Sequence, residues 1–222
     1  AFSLLQFFFQ VSGNMMIAPI QLEFGLSDVM LGVFNASFFL AYVLVQVPAG
    51  MLYDRFKLRR VLLSALAVCV GSAIAFSYSQ ALWQALLSRF LMGAGSGFAF
   101  VGMVYAANVG FSMRYFSMMV GFGELIAMLG AASAQSLFPH VVMQYGWRAM
   151  IQCCSAFGVL IAIMMFLCLR DRDAPEEIVE QPLWATLVMQ LRQAASLSGN
   201  WLCGLYCCAY FGVVTGIVSL WG

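Results

Sequence analysis

The segment from Gly50 to Arg60, Gly-Met-Leu-Tyr-Asp-Arg-Phe-Lys-Leu-Arg-Arg, constrains this chain more than any other. Apolar runs of membrane-spanning length lie on both sides of it. Asp54 and four basic residues (Arg55, Lys57, Arg59 and Arg60) share a connection too short to be a domain. The segment reads as a tight charged turn between two transmembrane helices. Short loops rich in Lys and Arg stay on the cytoplasmic side, so the turn also gives an orientation.

A helix needs about 20 apolar residues to cross the hydrocarbon core. Seven runs meet that length, at roughly 1–22, 29–53, 60–78, 81–108, 116–138, 149–169 and 199–222. Alternate breaks between them fall on the same side. Arg55, Lys57, Arg59, Arg60, Arg114, Arg170, Arg172 and Arg192 then lie on one side, and Arg148 alone on the other. The even-numbered breaks, the N-terminus and the stretch after the sixth run are expected to be cytoplasmic, in a multi-pass protein of the plasma membrane. Only 9% of residues are charged, against about 25% in a soluble domain. A net charge of +1 without a long basic tract excludes nucleic acid as a partner.

The fold class that follows is all-α and integral to the bilayer. A six-helix transmembrane bundle at 1–169 is followed by a cytoplasmic linker at 170–198 and a seventh transmembrane helix at 199–222. The linker opens Arg-Asp-Arg-Asp-Ala-Pro-Glu-Glu. Within it Leu183, Trp184, Leu187, Val188 and Leu191 recur at helical spacing, which predicts an amphipathic helix at the membrane interface or packed on cytoplasmic loops. Six helices, a linker and one orphan helix are expected to be part of a longer protein whose C-terminal half is missing. A complete seven-helix protein is the alternative.

The seven cysteines all fall in apolar segments and none has C-x-x-C spacing, so they read as small buried hydrophobes. The fifteen Met residues read as packing, and His140 is the only histidine. No metal site, cofactor or enzymatic constellation is expected.

Polar residues inside spans are costly and face a cavity or a partner. Gln10, Asn14 and Gln21 share a face of the first span; Asn35, Tyr42 and Gln46 share one of the second. Arg89 and Ser96 are co-facial in the fourth, with Asn108 near its far end; Glu124 and Gln135 are co-facial in the fifth. Spans one, two, four and five are therefore expected to line something wet, while three and six face lipid. Hydrogen bonding between helices is the plainer explanation of any one stripe. Asn14, Asn35, Tyr42, Gln46 and Ser96 are the candidate cavity residues. Gly93, Gly95 and Gly97 crowd the fourth span, where small residues let backbones approach closely.

Arg89 and Glu124 are the two charged side chains well inside the first six spans. Each lies about eight residues, or roughly 12 Å, from a helix end at 1.5 Å per residue, so they share a depth. One reading is a carboxylate that exchanges protons while Arg89 or the substrate competes for it. The other is a static ion pair joining the two helices.

These residues together resemble the major facilitator superfamily of secondary transporters. The family's signature between helices two and three is roughly G-x-L-x-D-R-x-G-R-R/K. Gly50, Leu52, Asp54 and Arg55 match it; Lys57 stands where a Gly is usual and Leu58 where an Arg is usual, with Arg59 and Arg60 following. Arg89 with Gly93, Gly95 and Gly97 resembles the helix-four signature. Gly146-Trp147-Arg148 and Gln46-Val47-Pro48-Ala49-Gly50 resemble the organic-anion symporter branch. Val11 and Ser12 stand where that branch often has an Asp-Arg pair, so its substrate chemistry is not carried over. The Gly-Pro antiporter signature of helix five is missing.

The resemblance implies the N-terminal half, linker and seventh helix of a twelve-helix protein, with substrate near the midplane between halves. It implies a secondary transporter for a small polar or anionic organic solute, working by alternating access as a proton-coupled symporter. Glu124 and Arg89 would couple protons. Gly50, Asp54, Arg55, Arg59 and Arg60 would form a conformational latch, in which the acid caps a helix of the other half; a merely solvated topogenic loop is the alternative. The small-molecule substrate, protons and the lipid bilayer are the implied partners. An efflux antiporter and a non-transporting half-transporter, kept as a receptor or subunit, are the competing readings.

Overall fold

In the computed structural model the described residues are 1–169 and 183–220, and their regular elements are helices. Residues 170–182, which open the expected linker, and 221–222, which end the seventh apolar run, lie outside the described residues. The chain divides into two compact units, Ala1–Glu177 and Ile178–Gly222.

In the first unit the initial apolar run forms two helices, α1 (Phe2–Met15) and α2 (Ile17–Phe24), separated at Met16. Pro19 sits in the first turn of α2, where its missing amide costs nothing. Next come α3 (Asp28–Arg55), α4 (Leu58–Ser77) and α5 (Leu82–Gly110). Ser27 caps α3 by accepting from the Met30 amide at 3.4 Å. The Gln84 carboxamide accepts from the amides of Gln80 and Ala81 and so starts α5. The charged turn is tighter than its sequence suggests: only Phe56 and Lys57 stand between α3 and α4.

The fifth and sixth runs form α6 (Met113–Cys168). The expected break, 139–148, opens at Pro139, yet the helix runs through that proline. The break is at Gly146, where φ is 83°. A helix with neighbours to re-satisfy the freed carbonyl tolerates a proline. A positive φ reverses the path and is open mainly to glycine. Four of these helices, α3 to α6, have the length and composition to cross a membrane, and α6 does so as two limbs, 113–145 and 147–168.

Packing joins α3 to α5, α4 to α5 and α6, and α1 to α6. The core holds Phe9, Phe34, Phe38, Leu66, Phe76, Met92 and Trp147. Lipid tails are as apolar as these side chains, so close packing and hydrogen bonds hold such a bundle. Close packing is clearest along α5. A Cβ at Gly97 would lie 2.9 Å from the Tyr42 carbonyl, one at Gly95 2.8 Å from the Ala65 carbonyl, and one at Gly93 would run into the Phe38 carbonyl. The helix-four glycines therefore put α5 in backbone contact with α3 on one side and α4 on the other. Leu66, on a span expected to face lipid, is fully buried; α4 turns one face inward and leaves Val68 and Ile74 exposed.

The two ends of the bundle are tied differently. At one end Arg148 binds the Glu23 carboxylate through both terminal nitrogens, at 2.6 and 2.7 Å, and also donates to the Ser79 carbonyl at 2.8 Å. Trp147 donates its indole N–H to Glu23 at 2.8 Å and packs on Phe76. The first, third and fifth breaks thus meet in one cluster, as alternation of spans requires. The Arg148 hydrogen bond, aided by the Trp147 indole and opposed by partial burial, holds the Glu23 carboxyl below the usual carboxylate range. At the other end Arg59 donates to the Phe166 carbonyl at 2.6 Å, with its guanidinium 4.5 Å from the Phe166 ring centre. It satisfies one of the orphan carbonyls that end α6.

The second unit holds α7 (Leu183–Ser196) and α8 (Ser198–Leu220). The helix expected inside the linker is α7. Asn200 and Trp201 donate side-chain N–H groups to the carbonyls of Ala194 and Ala195 at 3.0 and 2.8 Å, which fixes the corner at Leu197.

Candidate functional site: a polar cluster on α1, α3 and α6

The middle of α3 carries Tyr42 and Gln46, one turn apart and half-buried. Gln6 of α1 donates to the Tyr42 hydroxyl at 3.3 Å, and the Gln46 side chain bonds the same hydroxyl. Glu124 of α6 lies within electrostatic reach of that hydroxyl. Two helices thereby join two amides and a phenol, and a third brings a carboxylate within electrostatic reach of the phenol. Glu124 is half-buried and has no ion-pair partner among the described residues. Gln6 is 3% exposed, and its Oε1 is buried with no hydrogen bond. A buried acceptor without a donor is costly, so the cluster retains acceptor capacity for a hydroxyl, an N–H group or a proton.

Arg89 is elsewhere. It is 1% exposed and donates through Nη1 to the Phe9 carbonyl at 2.8 Å and to Ser12 Oγ at 3.4 Å. Its guanidinium lies 4.8 and 5.7 Å from the ring centres of Phe38 and Phe34. A carbonyl, a hydroxyl and two aromatic faces stand in for a counter-ion. The structure does not bring Arg89 into an ion pair with Glu124. Asn35 Oδ1 and Arg89 Nη2 both border the α-carbon of Gly13, where no Cβ fits.

Among the remaining cavity candidates, Asn14 is exposed. Ser96 is fully buried and faces α4, with its Oγ 3.4 Å from Cys69 Sγ. The polar stripe of α5 therefore divides between helix packing and the Arg89 enclosure. Gln6 and Ser12 are the site residues that sequence reasoning missed. Gln6 had a signal, because it stands one turn before Gln10. Ser12 had only its position, where the organic-anion symporter branch often has half of an Asp-Arg pair, and nothing in the sequence linked it to Arg89.

The turn residues also separate. Gly50 is half-buried, and Asp54 is exposed in the last turn of α3, with Tyr105 of α5 within electrostatic reach. An acid at a helix C-terminus faces the negative end of the dipole, so stability alone does not favour it. Arg55, beside it, is favourably placed in the same turn. Arg59 ties down the end of α6, whereas Arg60 is exposed.

The family model described as Major Facilitator Superfamily matches residues 1–222. Among curated proteins, the chain is 26% identical over 170 residues to a quinolone resistance transporter of Acinetobacter baumannii, covering 73% of this chain and 39% of that protein. It is 27% identical over 164 residues to a 4-hydroxybenzoate transporter of Pseudomonas putida, covering 70% and 35%. It is 28% identical over 162 residues to a probable L-galactonate transporter of Escherichia coli K12, covering 69% and 34%. The chain thus matches less than half the length of each of these relatives. Among solved structures, a bacterial homologue of the human lysosomal transporter Spinster, in an inward-facing and unoccupied conformation, matches with a TM-score of 0.69. Identity there is 18%, with 78% of this chain and 42% of that chain covered. That likeness shows the fold.

Proposed function

The chain belongs to the Major Facilitator Superfamily, and on that footing we propose that it serves a secondary transporter for a small polar or anionic organic solute. Transport runs by alternating access with proton symport, in the plasma membrane, and the turn at 54–60 and the linker at 170–198 face the cytoplasm. The observation that carries the reading is the cluster of Gln6, Tyr42, Gln46 and Glu124. It holds an unneutralised carboxylate and an unpaired buried acceptor in mid-bundle. Such groups are expensive in a membrane and mark solute or proton paths. Glu124 is the proton-coupling carboxylate. Arg89 holds the helices around it, or engages an anionic substrate in another state of the cycle. Relatives named for 4-hydroxybenzoate and L-galactonate transport support an organic acid as solute.

The relative named for quinolone resistance favours a second reading, efflux of an apolar compound. Uptake into proteoliposomes under an imposed pH gradient tests both. Symport predicts accumulation of an organic acid when the outside is acidic. Expulsion of a hydrophobic dye against the proton gradient would instead establish the second reading.

A further inference from the structure

A cleft of about 420 Å³ opens on the flank of the bundle between α3, α4 and α5, away from the polar cluster. Leu52 and Phe56 of α3, Ala65 and Val68 of α4 and Phe98 of α5 give it apolar walls, and the charged residue at its border is Arg60. The two adjacent arginines of the turn differ in how they are used. Arg59 is committed to the Phe166 carbonyl and ring. Arg60 is exposed and makes no side-chain hydrogen bond or ion pair among the described residues. No side chain caps the first turn of α4, so its amides add positive potential at the same end. Phe56 and Val68 are each 47% exposed along the cleft.

The walls are too apolar to hold a polar solute, and in a bilayer hydrocarbon would fill the space. The charged mouth sits at the end of the helices, where head groups begin. We propose that this cleft binds an anionic phospholipid, with one acyl chain between α3, α4 and α5 and its phosphate on Arg60. A guanidinium presents a fork of donors that matches phosphate geometry. A zwitterionic lipid carries the same phosphate but adds an ammonium that Arg60 repels. The site rests on the turn lying at the membrane surface and is independent of which solute the protein moves.

Native mass spectrometry of the full-length, delipidated protein tests it, by titration with phosphatidylglycerol and phosphatidylcholine of matched chains. The wild type is expected to prefer phosphatidylglycerol roughly fivefold, the scale of one juxtamembrane cation. Arg60→Gln should abolish that preference, and Arg60→Lys should retain part of it. Val68→Trp, which fills the cleft from its open side, should weaken binding of both lipids. Lys57→Gln removes the same charge from the same turn but lies outside the cleft, so it should leave the preference intact. Equal loss from Lys57→Gln and Arg60→Gln would mean diffuse attraction to the turn and would overturn the site. So would unchanged lipid binding in Val68→Trp, or competition by inorganic phosphate alone.

Discussion

Glu124 and Arg89 are the two mid-span charges, and their surroundings assign them different work. Glu124 lies within electrostatic reach of the Tyr42 hydroxyl and has no ion-pair partner among the described residues, a setting in which a carboxylate can change protonation state as its hydration changes. Glu124→Gln is expected to abolish pH-driven uphill accumulation in proteoliposomes while downhill exchange continues; sustained accumulation would make the carboxylate structural. Arg89 is enclosed and bonded to the backbone of α1. Arg89→Ala should remove charge-assisted hydrogen bonds worth about 1.5–3 kcal/mol and lower the thermal midpoint of the purified protein. A normal midpoint with a raised half-saturation concentration would instead make Arg89 a substrate ligand.

At the scale of helices, close contact governs. Gly93→Val would drive a side chain into the Phe38 carbonyl and is expected to part α3 from α5, costing stability at the upper end of the ~1–3 kcal/mol range for overpacking. Gly71→Val, in open space on α4, is the control, and thermal unfolding in detergent compares the two. Asp54→Asn should leave insertion and folding intact and slow turnover, because the acid sits where its own helix gains nothing from it. Unchanged turnover would reduce the turn to a topological signal.

Much of the helical layout was legible because the charges sit between apolar runs, and Arg55 to Arg60 marked one turn to within a few residues. The break in α6 was legible as the stretch 139–148, but its residue was not. Pro139 is the stronger local signal, but a packed helix tolerates it, and the reversal fell to Gly146. That Arg89 and Glu124 form no ion pair was unreadable for a related reason. Arg89 Nη1 donates to the Phe9 carbonyl, and a backbone carbonyl leaves no mark in sequence. The polar stripes found Tyr42, Gln46 and Glu124 but not Gln6, because a stripe gives a face and not its partner.

At the scale of the molecule, Glu23, Ser79 and Arg148 bring three breaks to one end. The lowered Glu23 value means that its ionised form is favoured by folding. That contribution is present above the ordinary carboxylate range and fades as pH falls through the lowered range. Both partners are about one-third exposed, so solvent screening keeps the effect small. Glu23→Gln is expected to flatten the acid limb of a plot of thermal midpoint against pH and to leave the neutral region little changed. An unaltered acid limb would show that the cluster does not contribute.

The knot at Arg148 also bears on how force passes through the bundle. A push on any one of its three connections is shared at once with the other two. At the far end Arg59 couples the start of α4 to the finish of α6, and glycine contacts lock α3 to α5 between them. A body braced at both ends and ribbed in the middle resists bending within itself. A push at one end is therefore passed along the bundle rather than absorbed by a bend within it.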